Sequence, residues 1–283
     1  MITRFQVKDS RMVNDKIKGK VLDRLETINR MMIKGKLWTT ESAKIQKTNK
    51  GGIINVVMFL APADEVASEP FTLCPWAKDN DCLANCINKQ GRLGMPNGQD
   101  AQLWKTVMYL LDFEAFKKKA IKELKALVRK HGAENLRVRP DGTSDAIWDW
   151  LIAEFPNVRF YGYTKGMGKI VRDANPNHWL TFSGSNANPM VRQRTKMAIK
   201  SGMRVALALN SGGFLGEWSK PYKHERLLDM DLQDDRTDDP QGTIGLLRRK
   251  GSNKTTRLAE EGHGHSFFFT KTQLNKLLLE TLI

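Results

Sequence analysis

No apolar run in this 283-residue chain approaches the roughly 20 residues a helix needs to cross a bilayer, so no membrane-spanning helix is expected. The start, Met1 to Gln6, has neither the apolar stretch nor the small-residue cleavage site of a secretory signal, and a cytoplasmic protein is expected. Cysteine is scarce. Three residues, an odd number, cannot form a disulfide framework in a chain of this length. Repeats and low-complexity tracts are missing, which excludes solenoids and fibrous arrays. There is no Gly-x-Ser-x-Gly elbow or cysteine–histidine pairing for acyl transfer. Lys165-Gly-Met-Gly-Lys169 is basic and glycine-rich but lacks the phosphate-loop order, leaving only a flexible phosphate-contacting loop.

What is present is positive charge on an otherwise ordinary globular composition, 40% hydrophobic and 27% charged. Lys and Arg number 46 against 31 Asp and Glu, a net charge of +15. Residues 1–50 hold 13 basic and five acidic side chains and read as a basic leader ahead of a domain over 51–283. Such a surplus favours a nucleic acid or nucleotide as partner, because each neutralised phosphate releases counterions.

Along the chain, Val21, Leu22, Leu25 and Ile28 recur at helical spacing, and Ile53–Leu60 reads as a buried strand between Gly-Gly and Pro62. One long helix is expected from Gln99 to Lys130, stopped at His131-Gly132. Strands follow at 136–139, 158–163, 178–182 and 204–209. Between them lie a helix through Trp148 and Leu151 capped by Ser144 or Asp145, and another over Pro189–Lys200. Trp148 and Trp150, two apart, should point in different directions on that helix, with at least one in the core. Strands separated by helices call for parallel pairing, so the fold expected is α/β, a partial or full parallel (β/α) barrel or a doubly wound sheet. The carboxyl ends of such strands share a face that holds the site, and small polar or charged residues recur there: Ser144 and Asp145, Thr164 and Lys165, Ser183 and Ser185, and Asn210. Lys165 and Asp145 are the catalytic candidates among them, the others cofactor-binding candidates.

Cys74, Cys82 and Cys86 fall in one short stretch with the spacing C-x7-C-x3-C. Three thiolates with a vacancy suit a four-iron, four-sulfur cluster whose fourth iron takes an outside ligand. Zinc completed by a distant His263 or His265 is the alternative metal, and three reduced packing cysteines the bland one. Six aspartates lie between Asp229 and Pro240. Asp229, Asp231, Asp234 and Asp238 form a second candidate cation site, with oxygen ligands for Mg2+ or Ca2+. The same loop also reads as one salt-bridged to Arg236, Arg248, Arg249 and Lys250 or simply solvated. It lacks the residue order of an EF-hand.

The series Leu73-Cys74-Pro75, Cys82-Leu83-Ala84-Asn85-Cys86, Thr143-Ser144-Asp145, Phe160 to Lys165, Leu180 to Ser183 and Asp229 to Asp239 resembles the bacteriophage gene product 88 family over about residues 53–251. That family is in turn similar to phage three-cysteine-motif proteins, which look like divergent radical S-adenosylmethionine enzymes. The resemblance implies a radical-SAM-like barrel in the host cytoplasm. Cys74, Cys82 and Cys86 would be cluster ligands, and Ser144, Asp145, Thr164, Lys165, Ser183 and Asn210 would line the face for S-adenosylmethionine and substrate. The spacing common in that superfamily is C-x3-C-x2-C, and the first gap here is wider.

Overall fold

In a computed structural model, the described residues are 21, 23–41, 45, 49, 51–63, 65–67, 71–83, 85–89, 91–210, 225–232, 234–249 and 267–282. Residues 1–20, much of the basic leader, lie outside them, as do Lys250, His263 and His265. The chain divides into two compact units, one of residues 1–75 and 86–160, the other of 76–85 and 161–283.

Unit 1 holds α1 (Leu25–Lys34), β1 (Ile54–Val57), two short 3-10 turns (Ile87–Lys89 and Gly91–Gly94), α2 (Pro96–Leu111), α3 (Phe113–His131), β2 (Leu136–Arg139), α4 (Asp149–Ile152) and the first two residues of β3 (Arg159–Thr164). β1 pairs parallel with β2 (Ile54 opposite Leu136), and β2 parallel with β3 (Arg137 opposite Arg159). Leader residues Val21, Ile28, Leu37 and Trp38 are buried in the same core as Val56, Trp104, Phe116, Leu124, Val138 and Phe160. Glu123 of α3 fixes this arm, its carboxylate accepting from the amides of Leu37 (2.8 Å) and Trp38 (3.4 Å).

Two local expectations change. The long helix is two helices, because Asp112 leaves helical geometry (φ −141°, ψ 69°) and its carboxylate accepts from the amide of Ala115, an N-cap that starts α3. Its end is as expected: Gly132, at φ 82°, terminates α3 in a conformation that side chains rarely adopt. Trp148 and Trp150 join one aromatic cluster, their ring centroids 5.7 Å apart, with Tyr109, Phe113 and Phe116 around them. Trp148 is the N-cap of α4 (φ −124°, ψ 8°), so helical angles do not separate the pair.

Unit 2 takes up β3 from Tyr161 and adds α5 (Met167–Arg172), β4 (His178–Gly184), α6 (Pro189–Lys200), β5 (Val205–Leu209), β6 (Leu227–Asp229), β7 (Ile244–Arg248) and α7 (Lys271–Leu282). The strand order here is β3-β4-β5-β7-β6, and the β4–β5, β5–β7 and β7–β6 pairings are parallel. The class is therefore α/β with parallel strands, as expected. Alternation sends Phe182, Val205, Leu207, Leu209, Ile244 and Leu246 into a core shared with α6 and α7. α7 begins with a reciprocal cap: the Thr270 amide donates to Gln273 Oε1, and the Gln273 amide to Thr270 Oγ1.

At the amino end of β4, His178 Nδ1 lies 2.8 Å from Asp173 Oδ2. Burial alone would push the Asp173 carboxyl up, but the hydrogen bond and charge of His178 and the hydrogen bonds from Asn175 outweigh it and hold the group below its ordinary range. A carboxyl so depressed stabilises the fold above its unfolded range, and that contribution is lost as pH falls through the folded value.

Candidate functional site

In unit 1 the loop after β2 is organised by Asp141. Its Oδ1 accepts from Trp148 Nε1 (2.6 Å), Ser144 Oγ (3.0 Å) and the amide of Ala146 (3.1 Å). The Ser144 hydroxyl is thus engaged within the loop, and neither Ser144 nor Asp145 caps α4, whose first turn has no side-chain cap. Half-buried Asp145 donates its amide to Leu73 O, and Cys74 Sγ lies 3.9 Å from Thr143 O, so this loop also seats the first cysteine. Cys74 and Cys86 are half-exposed and in no disulfide, as is Cys82 in unit 2. Among the described residues, no three His, Cys, Asp or Glu side chains are grouped to hold a metal ion.

In unit 2 the segment around Cys82 packs on the loop between β4 and α6. Ser185 Oγ donates to Asn80 O (3.3 Å), and Asn188 Nδ2 to Asp79 O (3.1 Å). Ser185 is fully buried and Thr164 nearly so, the latter accepting from the Gly166 amide (3.0 Å). Both hydroxyls shape turns. Gly166 is required by contact: a Cβ there would fall 2.6 Å from Trp76 Nε1.

Lys165, Ser183 and Asn210 are placed otherwise. Lys165 Nζ donates to Ser183 O (3.0 Å) and Ser183 Oγ (3.1 Å), and lies 4.6 Å from the ring centre of Phe267. Asn210 Oδ1 accepts from Arg249 Nη1 (3.3 Å), and that guanidinium stands 4.7 Å over the ring of Phe268. Arg192, in the first turns of α6, reaches the side-chain oxygen of Asn186 (3.3 Å). Three cations, two carboxamides and two aromatic rings therefore follow the carboxyl ends of β3, β4, β5 and β7. The sheet face carrying Ser183 also carries Thr181, Ala206 and Gly245, all small. Thr181 is fully buried, and among the described residues its hydroxyl has no hydrogen-bond partner. The sequence reading does not reach Arg192, Asn186, Phe267 or Phe268. The one local signal was the Phe267-Phe268-Phe269 triplet, whose last residue bridges to Leu209 beside β5.

The aspartates of 229–239 are spread over several partners. Asp229 Oδ2 pairs with Arg248 Nη2 (3.0 Å), and Asp231 Oδ2 accepts from the Arg248 amide (2.7 Å). Asp239 pairs with wholly buried Arg236 at 3.2 Å. Asp234 is half-buried and Asp238 exposed. Arginines of the chain itself stand among these carboxylates, and here too no metal-holding group is found among the described residues. Nor is any helix among them long and apolar enough to cross a membrane.

A family model described as Gene product 88 matches residues 32–262, and no curated protein and no solved structure matches the chain. The matched span runs from the end of α1 through Lys165, Ser183 and Asn210 and past β7, so the chain belongs to the Gene product 88 family.

Proposed function

We propose that the chain binds a nucleotide or a single-stranded nucleic acid at the carboxyl ends of β3, β4, β5 and β7 in unit 2. The observation that carries this reading is the pairing of cations with aromatic faces, Lys165 on Phe267 and Arg249 on Phe268, beside the carboxamides of Asn186 and Asn210. Cations take phosphates, rings stack bases, and carboxamides read base edges. The excess of 15 positive charges favours the approach of such a ligand. Titrating a labelled oligonucleotide and a mononucleotide at increasing salt tests it. Affinity should fall steeply with salt, and the double variant Lys165→Ala, Arg249→Ala should bind at least about tenfold more weakly with unchanged circular dichroism. Absence of binding at low salt, or a double variant that binds like the parent, would overturn it.

A second reading keeps the finer expectation, a radical-SAM-like barrel with an iron–sulfur cluster on Cys74, Cys82 and Cys86. Its support is that all three thiols are half-exposed and in no disulfide, with parallel strands ending in polar residues. Anaerobic reconstitution followed by iron, sulfide and zinc analysis decides it: iron and sulfide in equal amounts, lost in Cys86→Ser, is the expected result. Zinc alone points to a structural site, and a metal-free protein removes the reading.

A further inference from the structure

Among the described residues, Trp76 alone of the aromatic side chains is exposed, at 37%. Tryptophan is highly buried on average, because its ring gains so much on leaving water, and an indole held outward calls for a reason. The turn that carries it is well fastened. Asn80, 3% exposed, donates its side-chain amide to the carbonyl of Trp76 (2.8 Å), and its own carbonyl accepts from Ser185 Oγ. Asn188, the cap of α6, donates to the carbonyl of Asp79. The indole is thus presented from a segment tied at two points to the loop after β4.

That loop borders the strand ends of unit 2. Lys165 holds Ser183 and faces Phe267, and the next residue, Gly166, lies directly against the Trp76 indole. On α6, the Arg194 guanidinium stands 6.0 Å from the centre of the same indole, and its Nη2 lies 3.8 Å from Met190 Sδ. α6 carries Arg192, Arg194, Lys196 and Lys200 and no acidic residue. Phe267 is half-buried and Phe268 lies under Arg249, so Trp76 offers the more open ring. A cation beside an aromatic face therefore recurs, at Lys165 with Phe267 and at Arg194 with Trp76. A mononucleotide has one base and cannot occupy both places, whereas a strand with successive unpaired bases can. A duplex keeps its bases stacked inside and brings the indole no free face.

We infer that Trp76 and Arg194 extend the strand-end site, and that its ligand is a single-stranded nucleic acid of several nucleotides rather than a free nucleotide. One base stacks on the open part of the Trp76 indole and Arg194 takes the adjoining phosphate, while Lys165 takes a phosphate nearer Phe267. The inference rests on the strand-end reading above and decides between the two ligands it names.

Fluorescence anisotropy on the full chain tests it, with labelled oligothymidylates and oligouridylates from one to about ten nucleotides long. Stacking does not depend on the sugar, so a response from either backbone bears the inference out. Affinity should climb at least about tenfold from the mononucleotide to the longest strand, and a duplex of equal length should bind more weakly. Trp76→Ala should weaken the longest strand at least about fivefold and flatten the climb with length, and Trp76→Phe should recover most of both. Arg194→Gln should make the logarithmic salt dependence shallower by about 0.7, the share of one single-strand phosphate. Strands that bind no better than the mononucleotide would overturn the extension and leave the nucleotide site at Lys165 and Arg249 standing. So would a duplex that binds as well as a strand, or a Trp76→Ala protein with parental affinity for strands. If neither strand nor nucleotide binds at low salt, the strand-end reading falls and this inference with it.

Discussion

Asp239→Asn will destabilise the protein by about 3–5 kcal/mol, the loss expected when one partner is removed from a fully buried ion pair. Arg236 is 0% exposed, and its guanidinium meets Asp239 Oδ2 at 3.2 Å. Burial pushes the Asp239 carboxyl up, while Arg236 and Arg204 pull it back and Asp235 adds to the rise. The asparagine would keep the shape and lose the charge, stranding a guanidinium in the interior. The damage would spread along the chain, because the carbonyl of Asp239 accepts from Arg204 Nε (2.8 Å) and Pro240 O from Thr243 at the start of β7. Urea denaturation measures the loss, and the double variant Arg236→Met, Asp239→Asn should recover part of it. A loss under about 1 kcal/mol would mean that Arg236 has another counter-charge.

The second large effect is expected at Asp141. Asp141→Ala removes one oxygen on which three donors converge, the indole of buried Trp148 among them, and a loss of about 3 kcal/mol is expected. The loop that seats Leu73 and Cys74 through Asp145 and Thr143 would loosen with it. Cys74 should therefore react faster with a thiol reagent than in the parent, while Cys82, held in unit 2, keeps its rate. An Ala variant with parental stability and parental Cys74 reactivity would show that Asp141 does not organise the loop.

Elements with a local signal were readable from sequence. α6 spans Pro189–Lys200 as expected, since Asn188 caps it and Pro189 suits its first position. β2 is four alternating residues ended by a proline and a turn. α5 was hidden by Gly166 and Gly168, which read as a loop although the segment is helical from Met167. On sequence Asp112 is one polar residue within a continuous helical pattern, yet its capping carboxylate divides the helix in two. The strand-end rule located the carboxyl edge but could not separate hydroxyls that build turns from groups that face outward. Ser144 and Thr164 are engaged in their own loops and Ser185 on the segment before Cys82, whereas Lys165 and Asn210 meet Phe267 and Arg249. Those meetings join segments far apart in the chain, and no periodicity encodes which distant ring comes to rest against which cation.

The order β5-β7-β6 has a consequence for biosynthesis. Leu227–Asp229 leaves the ribosome before Ile244–Arg248, yet it hydrogen-bonds to β7 and sits at the sheet's end. Until the later strand docks on β5, the earlier one lacks its native partner and waits as unpaired chain. A nascent polypeptide halted between the two would present β5 as an open template, making that interval the one in which intermolecular mispairing competes with folding.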